Sequence, residues 1–164
     1  MELYISQTII PGNTLFIIQE PSGRLLYRLW GSPDPLRGVF TLLDDTGAER
    51  ARILRVGTAE VGVYEIRLYQ GERMRVICQK ALHHGNLLFQ GKNWHVRGSL
   101  QARSFDIVQK GRVLMTHEPC WQGEGGFCYG ITLEGSEAER LFCLCTAMIV
   151  DSTPIQPGRC MVPV

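Results

Sequence analysis

Four residues in the stretch "EIRLYQGERMRV" have the type and spacing to hold an anion: Arg67, Tyr69, Arg73 and Arg75. Arg50 and Arg52 stand one sequence unit earlier. Of 17 cationic residues in the chain, 14 are arginine rather than lysine. A guanidinium offers a planar fork of donors that grips phosphate or carboxylate in a bidentate way, which a lysine ammonium does not. The chemistry these residues suggest is capture of an anion, not bond making. The competing explanation is that exposed strand arginines keep a sheet surface soluble. Glu65, two residues before Arg67, would then neutralise them internally.

The other reactive side chains make a weak catalytic set. His83 and His84 are adjacent, so on a strand they point to opposite faces and cannot share a metal. His95 and His117 lack a carboxylate partner nearby in sequence. His117, Glu118 and Cys120 can be drawn as an acid–base or thiol site, and a solvent-exposed strand end explains them equally well. Asp34, Asp44 and Asp45 read as turn residues. The "GEGG" stretch at 123–126 has neither a following helix nor the lysine that a phosphate loop requires. Cys143 and Cys145 lie in an apolar run, where packing explains them. The expectation is no catalytic residue, no metal site and no cofactor.

Something must position these residues, and length and composition limit what it is. A chain of 164 residues with 45% apolar and 20% charged residues has the make-up of one globular domain with its own core. Net charge is +1, which argues against a dedicated nucleic-acid binder whose affinity rests on many phosphate contacts. The six cysteines include no C-x-x-C pair, and the start "MELYISQTII" lacks a signal-peptide layout. These features read as a reduced, cytoplasmic protein, with 154–164 as a tail beyond a domain core at 3–153.

The main organising feature is a 24-residue repeat. "GNTLFIIQEPSGRLLYRLW", "GVFTLLDDTGAERARILRV" and "GVYEIRLYQGERMRVICQK" begin at Gly12, Gly38 and Gly62. Phe16, Phe40 and Tyr64 keep that spacing, and so do Gly23, Gly47 and Gly71. Each unit is strand, glycine turn, strand, the signature of a β-hairpin. "SFDIVQKGRVLMTH" (104–117) is a fourth copy and "FCYGITLEG" (127–135) half of a fifth. With "LYISQTII" and "NWHVRGSL" the count reaches eleven or twelve strands. Alternation turns one apolar face of each hairpin inward. The first hairpin, with a four-residue loop, buries Phe16, Ile18, Leu25, Tyr27 and Leu29. The fourth, with a Lys110-Gly111 turn, buries Phe105, Ile107 and Leu114. In the second, Glu49 falls on the inner face. In the third, a Gln70–Glu72 loop sets Leu68 opposite Met74 and Arg67 opposite Arg75, with Arg73 beside Tyr69 on the outer face.

The segment "AERLFCLCTAMIVDSTP" (138–154) breaks this pattern. Ser136 and Glu139 form a capping box, so a helix starts at Glu137, and Pro154 ends it close to Asp151. Its apolar run is too short to span a bilayer, and a helix apolar all round must be buried all round. A barrel of about twelve strands is too wide for its own side chains to fill, and a threaded helix fills it.

At these residues the chain resembles the LURP-one-related (YxjI-like) family, grouped with tubby C-terminal domains and phospholipid scramblases. The resemblance rests on "LYISQ", the G-x-[FY]-x-[IL] hairpin units, "WHVRGSLQARSFDIV" (94–108) and a hydrophobic helix ending at Asp151. It covers about 150 residues. It implies a closed, roughly twelve-stranded antiparallel β-barrel around a central C-terminal helix, tubby C-terminal-like, and it implies no activity. Tubby domains bind phosphoinositides, so the resemblance favours a non-catalytic module. Its expected ligand is an anionic phospholipid headgroup, held by Arg67, Arg73, Arg75, Tyr69, Arg50 and Arg52 at the periphery of a membrane. A protein-interaction scaffold using the loops or the C-terminal tail is the alternative, and an enzyme is a distant third.

Overall fold

The computed structural model describes residues 1–7, 14–31, 38–56, 61–79, 86–120 and 128–152. The strands are β1 (Glu2–Gln7), β2 (Thr14–Gln19), β3 (Leu25–Gly31), β4 (Val39–Asp44), β5 (Glu49–Arg55), β6 (Val61–Leu68), β7 (Arg73–Gln79), β8 (Asn86–Gln90), β9 (Trp94–Ser99), β10 (Ser104–Gln109), β11 (Arg112–Cys120) and β12 (Cys128–Leu133), followed by α1 (Glu137–Ser152). They form one twelve-stranded antiparallel sheet in the order β8-β7-β6-β5-β4-β3-β2-β1-β12-β11-β10-β9. β8 and β9 lie side by side but carry no hydrogen-bonded ladder, so the barrel is nearly rather than fully closed.

Three hairpin turns of the repeat are copies of one another. Glu20, Asp44 and Leu68 each donate their amide to the carbonyl four residues on, and each accepts from the glycine three residues on. Those glycines, Gly23, Gly47 and Gly71, have φ of 88°, 84° and 97°, a region that costs other residues a steric clash. The first loop is therefore three residues long, not four. A bulge between Ile18 and Gln19 absorbs the difference and keeps Ile18 opposite Tyr27. The second hairpin carries a matching bulge between Leu42 and Leu43. That bulge turns Glu49 outward, so it is not on the inner face, and its carboxylate takes Arg52 Nε at 2.7 Å. The third hairpin has no bulge and pairs Ile66 with Met74, Glu65 with Arg75 and Arg67 with Arg73. The expected Arg67–Arg75 opposition is thus two residues out of register. A shift of two preserves the face of every side chain. The fourth hairpin turns at Lys110-Gly111 as expected, with both residues at positive φ.

The helix fills the lumen. Glu139 N donates to Ser136 Oγ at 3.2 Å, and Ser136 N lies 3.5 Å from Glu139 Oε1, which forms the capping box. Every residue from Leu141 to Val150 is buried. Leu3, Ile5, Phe16, Ile18, Leu29, Leu42, Ile53, Ile66, Val76, Ile107, Leu114 and Ile131 face it from the wall. The single hydroxyl among them is satisfied inside the helix, where Thr146 Oγ1 donates to Phe142 O at 2.8 Å. At 16 residues α1 reaches about 24 Å. No helix among the described residues is long and apolar enough to cross a membrane.

Candidate anion-binding surface

The outer faces of β5, β6 and β7 bring three of the expected arginines into one row. Arg52 pairs with Arg67 across β5 and β6, and Arg67 pairs with Arg73 across β6 and β7. Strands in a sheet are about 4.8 Å apart, so the three Cα positions span about 10 Å. Their side chains remain 49%, 44% and 64% exposed. The same row continues through Thr41 on β4 to Trp30 on β3, an indole left 47% exposed. Arg75 stands in the next row, opposite Glu65.

Among the described residues, two carboxylates answer these four guanidiniums. Glu49 engages Arg52 through Nε at 2.7 Å and Nη2 at 3.1 Å, and this raises the Arg52 pKa further. Glu65 is only 8% exposed. It accepts from Arg67 Nη2 at 3.1 Å and lies 3.9 Å from Arg73 Nη1. Internal neutralisation by Glu65 therefore operates, but four guanidiniums against two carboxylates leave two positive charges over. Like charges directly opposed across strands cost stability, and an outside anion would relieve that cost.

A second feature borders the arginines. Toward the end where α1 finishes, the next outward positions are apolar. Leu54 lies between Val39 and Glu65, and the row beyond runs Val56, Val63, Ile77 and Leu88. Val39, Val56 and Leu88 are 40–44% exposed. Single exposed apolar side chains are common, but these are neighbours on one face.

Two expected members of the cluster lie elsewhere. Arg50 is the extra residue of the β4–β5 bulge, and bulges redirect side chains. Its guanidinium pairs with Glu137 of the first helical turn and sits 4.0 Å from the Tyr69 ring centroid. Tyr69 is the first residue of the β6–β7 loop, not an outer-face neighbour of Arg73. Its hydroxyl donates to Glu137 Oε1 at 3.2 Å and accepts from Gln70 Nε2 at 2.8 Å. Arg50 and Tyr69 thus clasp the helix N-terminus at the barrel mouth.

His117 also departs from expectation. It is fully buried rather than at a solvent-exposed strand end, while Glu118 points outward and cannot act with it. The imidazole lies between the rings of Phe105 and Tyr129, with centroids 4.7 and 4.9 Å away. Its Nδ1 is 2.7 Å from Arg103 O and its Nε2 is 3.0 Å from both carboxylate oxygens of Asp151. A carbonyl only accepts, so Nδ1 carries a proton; a second proton then lies between Nε2 and the carboxylate. Both side chains are fully enclosed. Together they fasten the end of α1 to β11. Sequence proximity hid this partner, which is 34 residues away, but Asp151 did leave a signal. A carboxylate in the last turn of a helix opposes the macrodipole, and α1 has no basic residue there.

Cys143 and Cys145 are packed at 0% exposure. Among the described residues no three His, Cys, Asp or Glu side chains converge as metal ligands do. His83, His84, Asp34, the "GEGG" stretch and the tail from residue 154 lie outside the described residues.

No protein-family model matches this chain, and no curated protein matches it. Among solved structures it is similar to the X-ray structure of a protein from Arabidopsis thaliana. The TM-score is 0.60 at 13% identity, over 92% of this chain and 88% of that one. At that identity the likeness concerns the fold.

Proposed function

We propose that this chain is a tubby-like, LURP-one-related barrel that binds anionic phospholipid headgroups at a membrane surface, without catalysis. The observation that carries the reading is the adjacency of the Arg52–Arg67–Arg73 row to exposed apolar rows on one outer face. Phosphate groups would sit in the guanidinium forks. Val39, Val56 and Leu88 would meet the acyl boundary and Trp30 the headgroup level, where indoles concentrate. A net charge of +1 makes the attraction local to this face, so binding is peripheral and sensitive to salt.

Sedimentation with vesicles carrying polyphosphorylated inositol lipids tests this. Basic residues at an anionic surface contribute about 1 kcal/mol each, so Arg67→Ala with Arg73→Ala should weaken binding by about 2 kcal/mol, roughly thirtyfold. Leu88→Ser should weaken it with less change in salt dependence. Wild-type protein that ignores such vesicles at low salt overturns the proposal.

A further inference from the structure

Away from the arginine face, β11 and β12 end on a pair of cysteines. Cys120 and Cys128 are direct partners on the last rung of that ladder. Both lie on the outer face by alternation, since His117 and Ile131 face the lumen and Cys120 and Cys128 each stand three residues from them. Antiparallel partners have Cα atoms about 4.5–5.5 Å apart, inside the ~4.4–6.8 Å window that a disulfide spans. Cys128 is 2% exposed, Cys120 is partly exposed, and neither is disulfide-bonded. Beyond Cys128 the rung continues to Ser6 on β1.

We infer that Cys120 and Cys128 form a two-electron modification site that a peroxide converts to a cross-strand disulfide. Cys120, the accessible thiol, attacks the peroxide as thiolate. Its Sγ–O bond forms as the O–O bond breaks, and hydroxide leaves to take up a proton as water. Cys128 Sγ then displaces that oxygen from Cys120, forming the S–S bond and releasing a second water that carries the Cys128 proton. Two thiols are oxidised and one hydrogen peroxide is reduced to two waters. Burial pushes the Cys128 thiol up to about 12, which leaves Cys120 as the thiol that meets the peroxide first. Cβ atoms of ladder partners stand slightly farther apart than a relaxed disulfide prefers. The bond would therefore be readily reduced, as strained disulfides are. It would close a ring over residues 121–127, "WQGEGGF", and fix the end of the hairpin three residues from the His117–Asp151 fastening.

The test is to treat the native protein with equimolar hydrogen peroxide, alkylate it and map it by mass. Two of the six thiols should disappear with loss of two hydrogens and no change in oligomeric state. Cleavage at Glu124, which lies between the two cysteines, should leave the halves joined until a reductant is added. Cys128→Ser should stop at a sulfenic acid on Cys120 that dimedone captures, and Cys120→Ser should leave Cys128 unmodified. Cys120 driven to sulfinic acid beside a free Cys128, or a linkage involving any other cysteine, overturns the inference.

Discussion

Removing the Asp151 carboxylate tests whether α1 is fastened at its far end as well as packed along its length. In Asp151→Ala the imidazole of His117 keeps its Nδ1 bond to Arg103 O but loses both 3.0 Å contacts at Nε2. Both side chains are fully enclosed, so the loss is not made good by bulk solvent. Breaking a buried pair from one side costs about 3–5 kcal/mol, a large fraction of the roughly 5–15 kcal/mol that holds a domain folded. For a chain of this size that corresponds to a melting temperature lower by about 6–20 °C. Asp151→Asn keeps an amide able to donate to an unprotonated Nε2, so it should lose only about 1 kcal/mol. Replacing both partners, His117→Leu with Asp151→Leu, should recover most of the loss, because an apolar pair leaves nothing unsatisfied. Urea melts of His117→Leu, Asp151→Leu and the double complete a thermodynamic cycle with strong coupling. If the single changes add to within about 0.5 kcal/mol, or Asp151→Ala melts like wild type, the pair does not fasten the helix.

Three further outcomes follow from other sites. Leu144→Asp places a charge among residues that are about 1% exposed and should prevent folding; a soluble variant with a cooperative melt would contradict the helix as core. Gly111→Val should cost about 1 kcal/mol or more by differential scanning calorimetry, since φ of 79° excludes β-branched residues while Cβ would meet no atom; an unchanged melt would remove the strained-turn explanation. Burial pushes Cys145 from 9.0 to about 12 and raises Cys143 as well. A folded-state pKa above the unfolded one means that the native state holds the extra proton. That stabilisation is complete below pH 9 and fades as pH rises toward 12. Alkaline melts should steepen over that window, more so in wild type than in Cys145→Ala.

The fold could be read largely from residues whose signals are local. Repeated glycines marked the hairpins, alternation marked the inner faces, and Ser136 with Glu139 marked the helix start. Register was harder, because it depends on where a bulge falls. Two bulges changed the first two hairpins, and their absence shifted the third by two residues, moving Arg67 from Arg75 to Arg73. The candidate surface followed the same division. Arg52, Arg67 and Arg73 share a face because face depends only on parity. Arg50 and Tyr69 left it because bulge and loop positions do not follow parity. The apolar rows beside the arginines went unread, since Val63, Ile77 and Leu88 come from three strands, Val56 follows a fourth, and only the sheet order brings them together. His117 and Asp151 meet only once the helix is inside the barrel.

Placing the lumen filler last in the chain order has a consequence for biosynthesis. Translation proceeds from the amino terminus, so every strand of the wall leaves the ribosome before α1 does. β1 also waits for β12, with Glu2 pairing to Thr132. Until then the nascent protein is a growing hairpin array with an uncovered greasy side, flanked by strand edges open to pairing with other chains. The cover for that side then arrives as a single segment, residues 137–152, after the wall is complete rather than with its gradual growth.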